Sequence, residues 1–317
     1  MAIVAGLSAS LVACTVGPDF VSPPAPEGGF TREATPAGTV GAPGAAGAAQ
    51  RFDVGRDIPG EWWKLFRSKT LDALVAEALR SHPDVVAGQA ALEAAQQNVA
   101  SEAGSLLPQV SLAGNQQRQN VSLAQNGMRG KGTLFDLTGT SVSVSYDLDV
   151  FGGERRTIEG LQATANQRAL ELEATRLSLA ANVVTTLITD ASLRAQIAAT
   201  RDIIRTETEQ LTLLRQQFAL GAVAQTDVLL QESNLAQAKV ALPALEKQLG
   251  QNRNLLMVYL GRMPSEDRGE SVALDGLHLP ERLPLSLPSS LVRQRPDVLA
   301  AEETLHRANA QIGRAHV

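Results

Sequence analysis

The 317-residue sequence predicts a mixed α and transmembrane-β fold, with long α-helical hairpins, membrane-spanning strands and two structural repeats, the first complete and the second truncated. Three observations predict it. Residues 161–220 run for 60 positions without Gly or Pro and are rich in Ala, Leu, Gln, Glu and Arg, well beyond the roughly 8–20 residues of an ordinary globular helix. Residues 141–150 alternate polar and apolar at every position, the period of a strand with two unlike faces. His82-Pro83-Asp84-Val85-Val86-Ala87 recurs as Arg295-Pro296-Asp297-Val298-Leu299-Ala300, 213 residues later, which marks a duplicated unit.

Composition sets outer limits. Hydrophobic residues make up 44% of the chain but aromatic ones only 3%, which suits helices with narrow apolar seams better than a compact mixed core. A single cysteine excludes an internal disulfide framework and any multi-cysteine zinc or iron–sulfur site. With 33 acids against 28 bases, a net charge of −5 and no Lys/Arg cluster, nucleic acid is excluded as a partner, because its phosphates demand a basic face.

Met1 to Ala13 is apolar and small, too short for a spanning helix of about 20 residues, and reads as the end of a signal peptide over 1–13. Leu11-Val12-Ala13-Cys14 resembles the bacterial lipobox, after which the cysteine becomes the new N-terminus. Cys14 is therefore expected to carry covalent lipid, the only non-protein group expected, and to hold the chain to outer-membrane lipid. The alternative is a lone cysteine ending an apolar segment. No basic n-region precedes it, so the true start is expected upstream, and Thr15 rather than Asp follows it, which in lipoproteins implies export to the outer membrane. Residues 14–60 are dominated by Pro, Gly and Ala and read as a lipidated, extended tether.

The first repeat is placed at 61–260. Trp62, Trp63, Leu65, Phe66, Leu71, Leu74, Val75 and Leu79 fall at helical spacing on one face, with the tryptophans as packing anchors rather than a ligand site. A second helix follows Pro83, from Asp84 towards Ala103.

A strand pair is then expected within 106–151. Val142, Val144, Tyr146, Leu148 and Val150 would face lipid, and Ser141, Ser143, Ser145, Asp147 and Asp149 a lumen. The weaker partner is Pro108 to Gln117, carrying Val110 and Leu112, across a polar loop with Asn126-Gly127 and Gly130-Lys131-Gly132. Phe135, Tyr146 and Phe151 are candidates for an aromatic girdle. Periodicity alone would equally fit a half-buried hairpin of a soluble sheet. The long helix that follows decides for the membrane.

A helical hairpin is expected over 154–260. As one helix the 60-residue run would extend about 90 Å, and Arg168, Glu171, Arg176, Asp190 and Arg194 exclude it as a lipid-spanning helix. Ile197, Ile204, Leu211 and Phe218, then Val228, Leu235, Leu242, Leu249 and Leu256, recur every seven residues, as in a coiled-coil seam. The break between them is Leu220, Gly221, Ala222, Val223, Ala224, Gln225, Thr226 and Asp227. Gly221 suits the C-cap there, and Thr226 or Asp227 the N-cap of the returning helix. Pro243 is expected to kink or break that helix.

Residues 261–290 read as a linker and 291–311 as the start of the second repeat, where Leu305 and Ala308 match Leu92 and Ala95 at the same offset. Ile312 to Val317 is what a common sequencing-library adapter encodes when read in frame, so the natural reading is expected to end near Gln311. Catalytic motifs are lacking: there is no HExxH, GxSxG, P-loop or GxGxxG pattern. His82, His278 and His306 stand isolated, and Asp147 with Asp149 reads as pore-wall polarity rather than an acid/base pair. The chain is not expected to be an enzyme or to hold a cofactor or metal.

Val16-Gly17-Pro18-Asp19-Phe20, the Trp62 to Leu79 helix, Ser145-Tyr146-Asp147-Leu148-Asp149-Val150-Phe151-Gly152 before Arg155-Arg156, and Leu255 to Pro264 together resemble the TolC-like outer membrane factor family. Within it, they resemble the lipoprotein branch serving resistance-nodulation-division efflux pumps. The resemblance implies a homotrimer whose protomers each give four strands to a shared twelve-stranded outer-membrane β-barrel and long helices to a periplasmic α-barrel. It implies that the tip from Leu220 to Asp227 meets a periplasmic adaptor protein, through which an inner-membrane pump is reached indirectly. The implied function is passive exit of small toxic compounds or drugs. A non-conducting structural envelope lipoprotein and a type I secretion exit duct stay open as alternatives. Two strands cannot close a barrel, so this stretch alone is not expected to form a working pore.

Overall fold

The computed structural model describes residues 16–25, 36–43, 47–122, 127, 129–130, 132–286 and 288–316. Their order is β1 (Arg51–Val54), α1 (Lys69–Ser81), α2 (Pro83–Ala103), β2 (Gln109–Val121), β3 (Thr133–Ser145), α3 (Gly153–Ala219), α4 (Gln225–Tyr259), β4 (Arg282–Leu285), α5 (Pro288–Gln294) and α6 (Pro296–Ala315). Among them no helix is long and apolar enough to cross a membrane. The chain divides into two compact units: Met1–Ser22 with Glu93–Gln167 and Ala301–Val317, and Pro23–Leu92 with Arg168–Ala300.

The second of these holds the main core. The helix expected from Trp62 onward is interrupted: Trp62–Phe66 is a turn of 3₁₀ helix, Arg67 closes it in the left-handed region (φ 52°), and Ser68 starts α1 anew. The Ser68 hydroxyl accepts the Leu71 N–H at 3.4 Å, supplying an otherwise unmatched donor of the first turn. The tryptophans do act as packing anchors. Trp63 is buried, and Trp62 meets both Trp63 and Phe66 edge-on at 6.3 Å. Leu71, Leu74, Val75 and Ala78 of α1 pack with Leu172 to Leu187 of α3 and with Leu256, Met257 and Leu260 at the end of α4. Each fully buried Leu or Val is worth about 1.5–3 kcal/mol over its exposed state. Gly261 (φ 70°) follows the end of α4 where only glycine fits, since a Cβ there would lie 2.8 Å from the Ser81 carbonyl oxygen.

Farther along α3 and α4 the sevenfold positions form the seam: Leu211, Val228 and Leu235 are buried against Ile204 and Leu214. Arg215 bridges to Glu232 at 2.7 Å and Arg201 to Glu246 at 2.8 Å, so the two helices run antiparallel. Pro243 lies inside α4 without breaking it, because the helix can forgo one backbone bond where the rest of the seam holds.

Two stretches differ from expectation. Within 14–60, β1 pairs in parallel with β4, Arg51 opposite Arg282 through Val54 opposite Leu285, and Gly38 bridges Arg51. The supposed tether and the supposed 261–290 linker are therefore stitched together over these residues. After β4 come α5 and α6, and α6 begins at Pro296 as α2 begins at Pro83, the same offset of 213.

The other unit is built on β2 and β3. They pair antiparallel from Gln109 opposite Ser145 to Val121 opposite Thr133, longer at the loop end than the sequence indicates. Asn126 and Lys131 of the connecting loop lie outside the described residues.

Candidate functional site

The strand pair has two faces set by its register. Val110 opposite Val144 and Leu112 opposite Val142 share one face, and Gln109 opposite Ser145, Ser111 opposite Ser143 and Ala113 opposite Ser141 share the other. The serines bond across the ladder, Ser111 Oγ to Ser143 Oγ at 2.7 Å. The four apolar residues are 66–74% exposed; among the described residues nothing covers them. Such a band faces lipid at low cost and water at high cost.

Nearer the loop the polarity exchanges sides. Gln117 opposite Leu137 and Gln119 opposite Phe135 fall on the serine face, while Arg118 faces Asp136 at 3.6 Å on the valine face. Phe135 thus lies on the side opposite Val142 and Val144 and does not extend their apolar band into a girdle. The apolar band ends after the first few residue rows, and sequence reading missed this because it took β3 to begin at Ser141.

Asp147 and Asp149 are corrected. β3 ends at Ser145, so neither belongs to a strand face. The Asp149 carboxylate accepts the N–H groups of Glu154 and Arg155, both at 3.1 Å, and stands 3.4 Å from Arg155 Nε. It caps the start of α3, where bare amides and the helix dipole favour an anion. Tyr146, Leu148, Val150 and Phe151 likewise follow the strand; all four are exposed.

The hairpin tip is built by two different caps. Ala222 N–H donates to Gln217 O and Gly221 N–H to Phe218 O, both at 2.9 Å, with Gly221 at φ 75°: a Schellman motif. The N-cap of the return helix lies two residues before Thr226 and three before Asp227, the two positions expected for it. Ala224 is its N-cap, and because alanine has no acceptor, Asp227 reaches back from the first turn to take the Ala224 N–H at 3.1 Å. Gln225 and Thr226 lie in that first turn. Leu220 is 85% exposed and Val223 half-buried, so a capped, partly apolar tip is presented. Cys14 lies outside the described residues. Among the described residues no group of three or more His, Cys, Asp or Glu could hold a metal ion.

Comparison with known proteins agrees with this geometry. The family model described as outer membrane efflux protein matches residues 74–262. The toluene efflux pump outer membrane protein TtgF of Pseudomonas putida is 30% identical over 98% of this chain and 63% of its own length. The pyoverdine export outer membrane protein OpmQ of Pseudomonas aeruginosa is 29% identical over 84% of this chain and 56% of its own. The solved outer-membrane channel OprN superposes with a TM-score of 0.78 at 25% identity, over 96% of this chain and 64% of that one. This chain spans less than two thirds of the length of these relatives. It is a member of the outer membrane efflux protein family.

Proposed function

We propose that the chain contributes to the outer-membrane exit duct of a tripartite efflux pump, a passive conduit for small toxic compounds or drugs. The observation that carries this reading is the β2–β3 pair, with an exposed Val110, Leu112, Val142 and Val144 band on one face and bonded serines on the other, leading through Asp149 into a 67-residue helix. A spacer needs no such two-faced strand pair. In this reading Ser141, Ser143 and Ser145 face the lumen of a homotrimer. The Leu220 to Asp227 tip meets the periplasmic adaptor, and lipid on Cys14 anchors the chain in the outer membrane. The relatives are named for toluene efflux and pyoverdine export, and small organic solutes are the class that fits.

The test is complementation in a Gram-negative host lacking its own outer-membrane efflux component, with the complete gene, together with conductance of purified protein in planar bilayers. Restored resistance and a conducting trimer are expected, and both are lost when β2 and β3 are deleted. Resistance that survives deletion of the strands would overturn the duct.

A further inference from the structure

Two motifs far apart in the sequence meet in the unit built on the strand pair. Val16 to Phe20 lies against the first turns of α3 and against α6. The Arg156 side chain, 6% exposed, donates from Nε to Val16 O at 3.3 Å, and from Nη2 to Gly17 O at 3.1 Å and the Asp19 carboxylate at 2.9 Å. Its Nη1 is held by Glu159 at 2.7 Å. The other Glu159 oxygen meets His306 Nε2 at 3.0 Å, and the His306 ring lies on Phe20, centroids 4.4 Å apart and planes 14° from parallel. Asn309 donates to Pro18 O at 2.9 Å, Val16 N–H donates to Phe151 O at 3.2 Å, and the Ser22 hydroxyl donates to Glu302.

A buried guanidinium is tolerable only when its fixed fork of donors is matched. Among the described residues, three of the four bonds made by Arg156 come from one short segment, so without that segment Glu159 is the described partner left to the buried charge. The site reads chemistry rather than bulk: two adjacent carbonyls, a carboxylate two residues on, and an aromatic face after that. The segment is thus bound as a peptide ligand would be.

We propose that Val16–Ser22 is an internal docking motif read by Arg156 and His306, and that this docking, rather than the length of the Pro/Gly/Ala stretch, sets where the anchored end of the chain stands, beside Phe151 at the foot of β2 and β3. The anchoring part rests on the lipid reading of Cys14 given above. Cys14 precedes Val16 by two residues, so chain reach at about 3.6 Å per residue limits their separation to about 7 Å. Arg156 and His306 are positioning residues in this scheme.

The experiment places Ser22→Cys with Glu302→Cys in the full chain, expressed in the outer membrane, and treats it with a short bis-alkylating reagent; bridged peptides are scored by mass spectrometry. Arg201→Cys with Glu246→Cys, across α3 and α4, serves as the control for folding. Bridging of 22 to 302 is expected, falling at least about tenfold when Arg156→Ala or Phe20→Ala is added, with the control pair unchanged. If Arg156→Ala also lowers the control, Phe20→Ala decides, since it alters only the docked segment. Bridging indifferent to Phe20→Ala, or absent while the control pair bridges, would overturn the proposal. Incorporation of an alkyne-tagged fatty acid at Cys14, scored in the same samples, separates the two readings. Bridging without label removes the lipid reading and leaves docking standing; label without bridging does the reverse.

Discussion

Asp190 is fully buried in α3, and its charge is matched rather than solvated: Arg194 Nε lies at 2.7 Å and Arg253 Nη1 at 3.4 Å. Arg253 also donates to the Asp267 carboxylate and, at 2.8 Å, to Glu270 O. One side chain of α4 thus ties α3 to the stretch beyond Gly261. Taking away one member of a buried ionic set strands the others, at about 3–5 kcal/mol. Arg253→Ala is expected to lower the unfolding free energy by that amount in urea titrations, and Arg253→Lys to recover only part of it, lacking the planar fork. The hydrogen bond from Arg253 holds the Asp267 pKa below its ordinary value, against the opposing effect of burial. A carboxyl depressed on folding adds stability that is complete above its unfolded value, about 3.9, and is lost as pH falls through the folded one. The stability difference between wild type and Asp267→Asn is therefore expected to stay flat from pH 7 to about 4 and to shrink below it. A difference that widened on acidification would contradict this linkage.

At the scale of elements, the hairpin tip and the strand pair each rest on a few positions. Gly221 adopts φ 75°, so Gly221→Ala is expected to cost about 1 kcal/mol. Asp227→Ala, which frees the Ala224 N–H, should cost a similar amount, about 1 kcal/mol. Both should speed amide exchange around 216–227 while leaving 172–187 unchanged. In β3, neighbouring positions should behave oppositely. Val142→Lys puts a charge on the exposed apolar band at about 2–4 kcal/mol if that band sits at mid-bilayer, whereas Ser143→Lys lies on the polar face and should be tolerated; heat-modifiable outer-membrane assembly checks both. The hairpin and its seam were legible in the sequence because a sevenfold repeat needs no partner to be seen, and Gly221 marked the turn. The end of β3 was not legible: Asp147 and Asp149 continue the alternation past Ser145, and only the hydrogen bonds of α3 reveal that Asp149 has become a cap. A carboxylate in phase with a strand and one poised just before a Gly-Gly helix start look identical in periodicity.

For the molecule as a whole, the duplication was legible in His82 to Ala87 and Arg295 to Ala300, and the structure extends it to local chemistry. His82 Nδ1 accepts the Asp84 N–H at 3.2 Å, and Arg295 pairs with Asp297 two residues on in the second copy, so each copy ties its Pro-Asp helix start to the residue before it. What composition hid was the fate of the Pro/Gly/Ala segment. Low complexity predicts slack chain, yet Arg51 N–H donates to Glu281 O at 2.9 Å and Gly55 N–H to Leu285 O at 2.8 Å. Backbone pairing of this kind depends little on side-chain identity, which is why no apolar pattern announced it. If the pairing holds residues 282–285 in place, Arg51→Pro removes a ladder donor and loosens β4 at a cost of about 1 kcal/mol. Trypsin should then cut after the exposed Arg282 several times faster, while cleavage after Arg201, in the hairpin, keeps its wild-type rate. Equal rates at Arg282 in both proteins would mean that β1 and β4 are not restraining each other, and that the segment behaves as the slack tether its composition suggests.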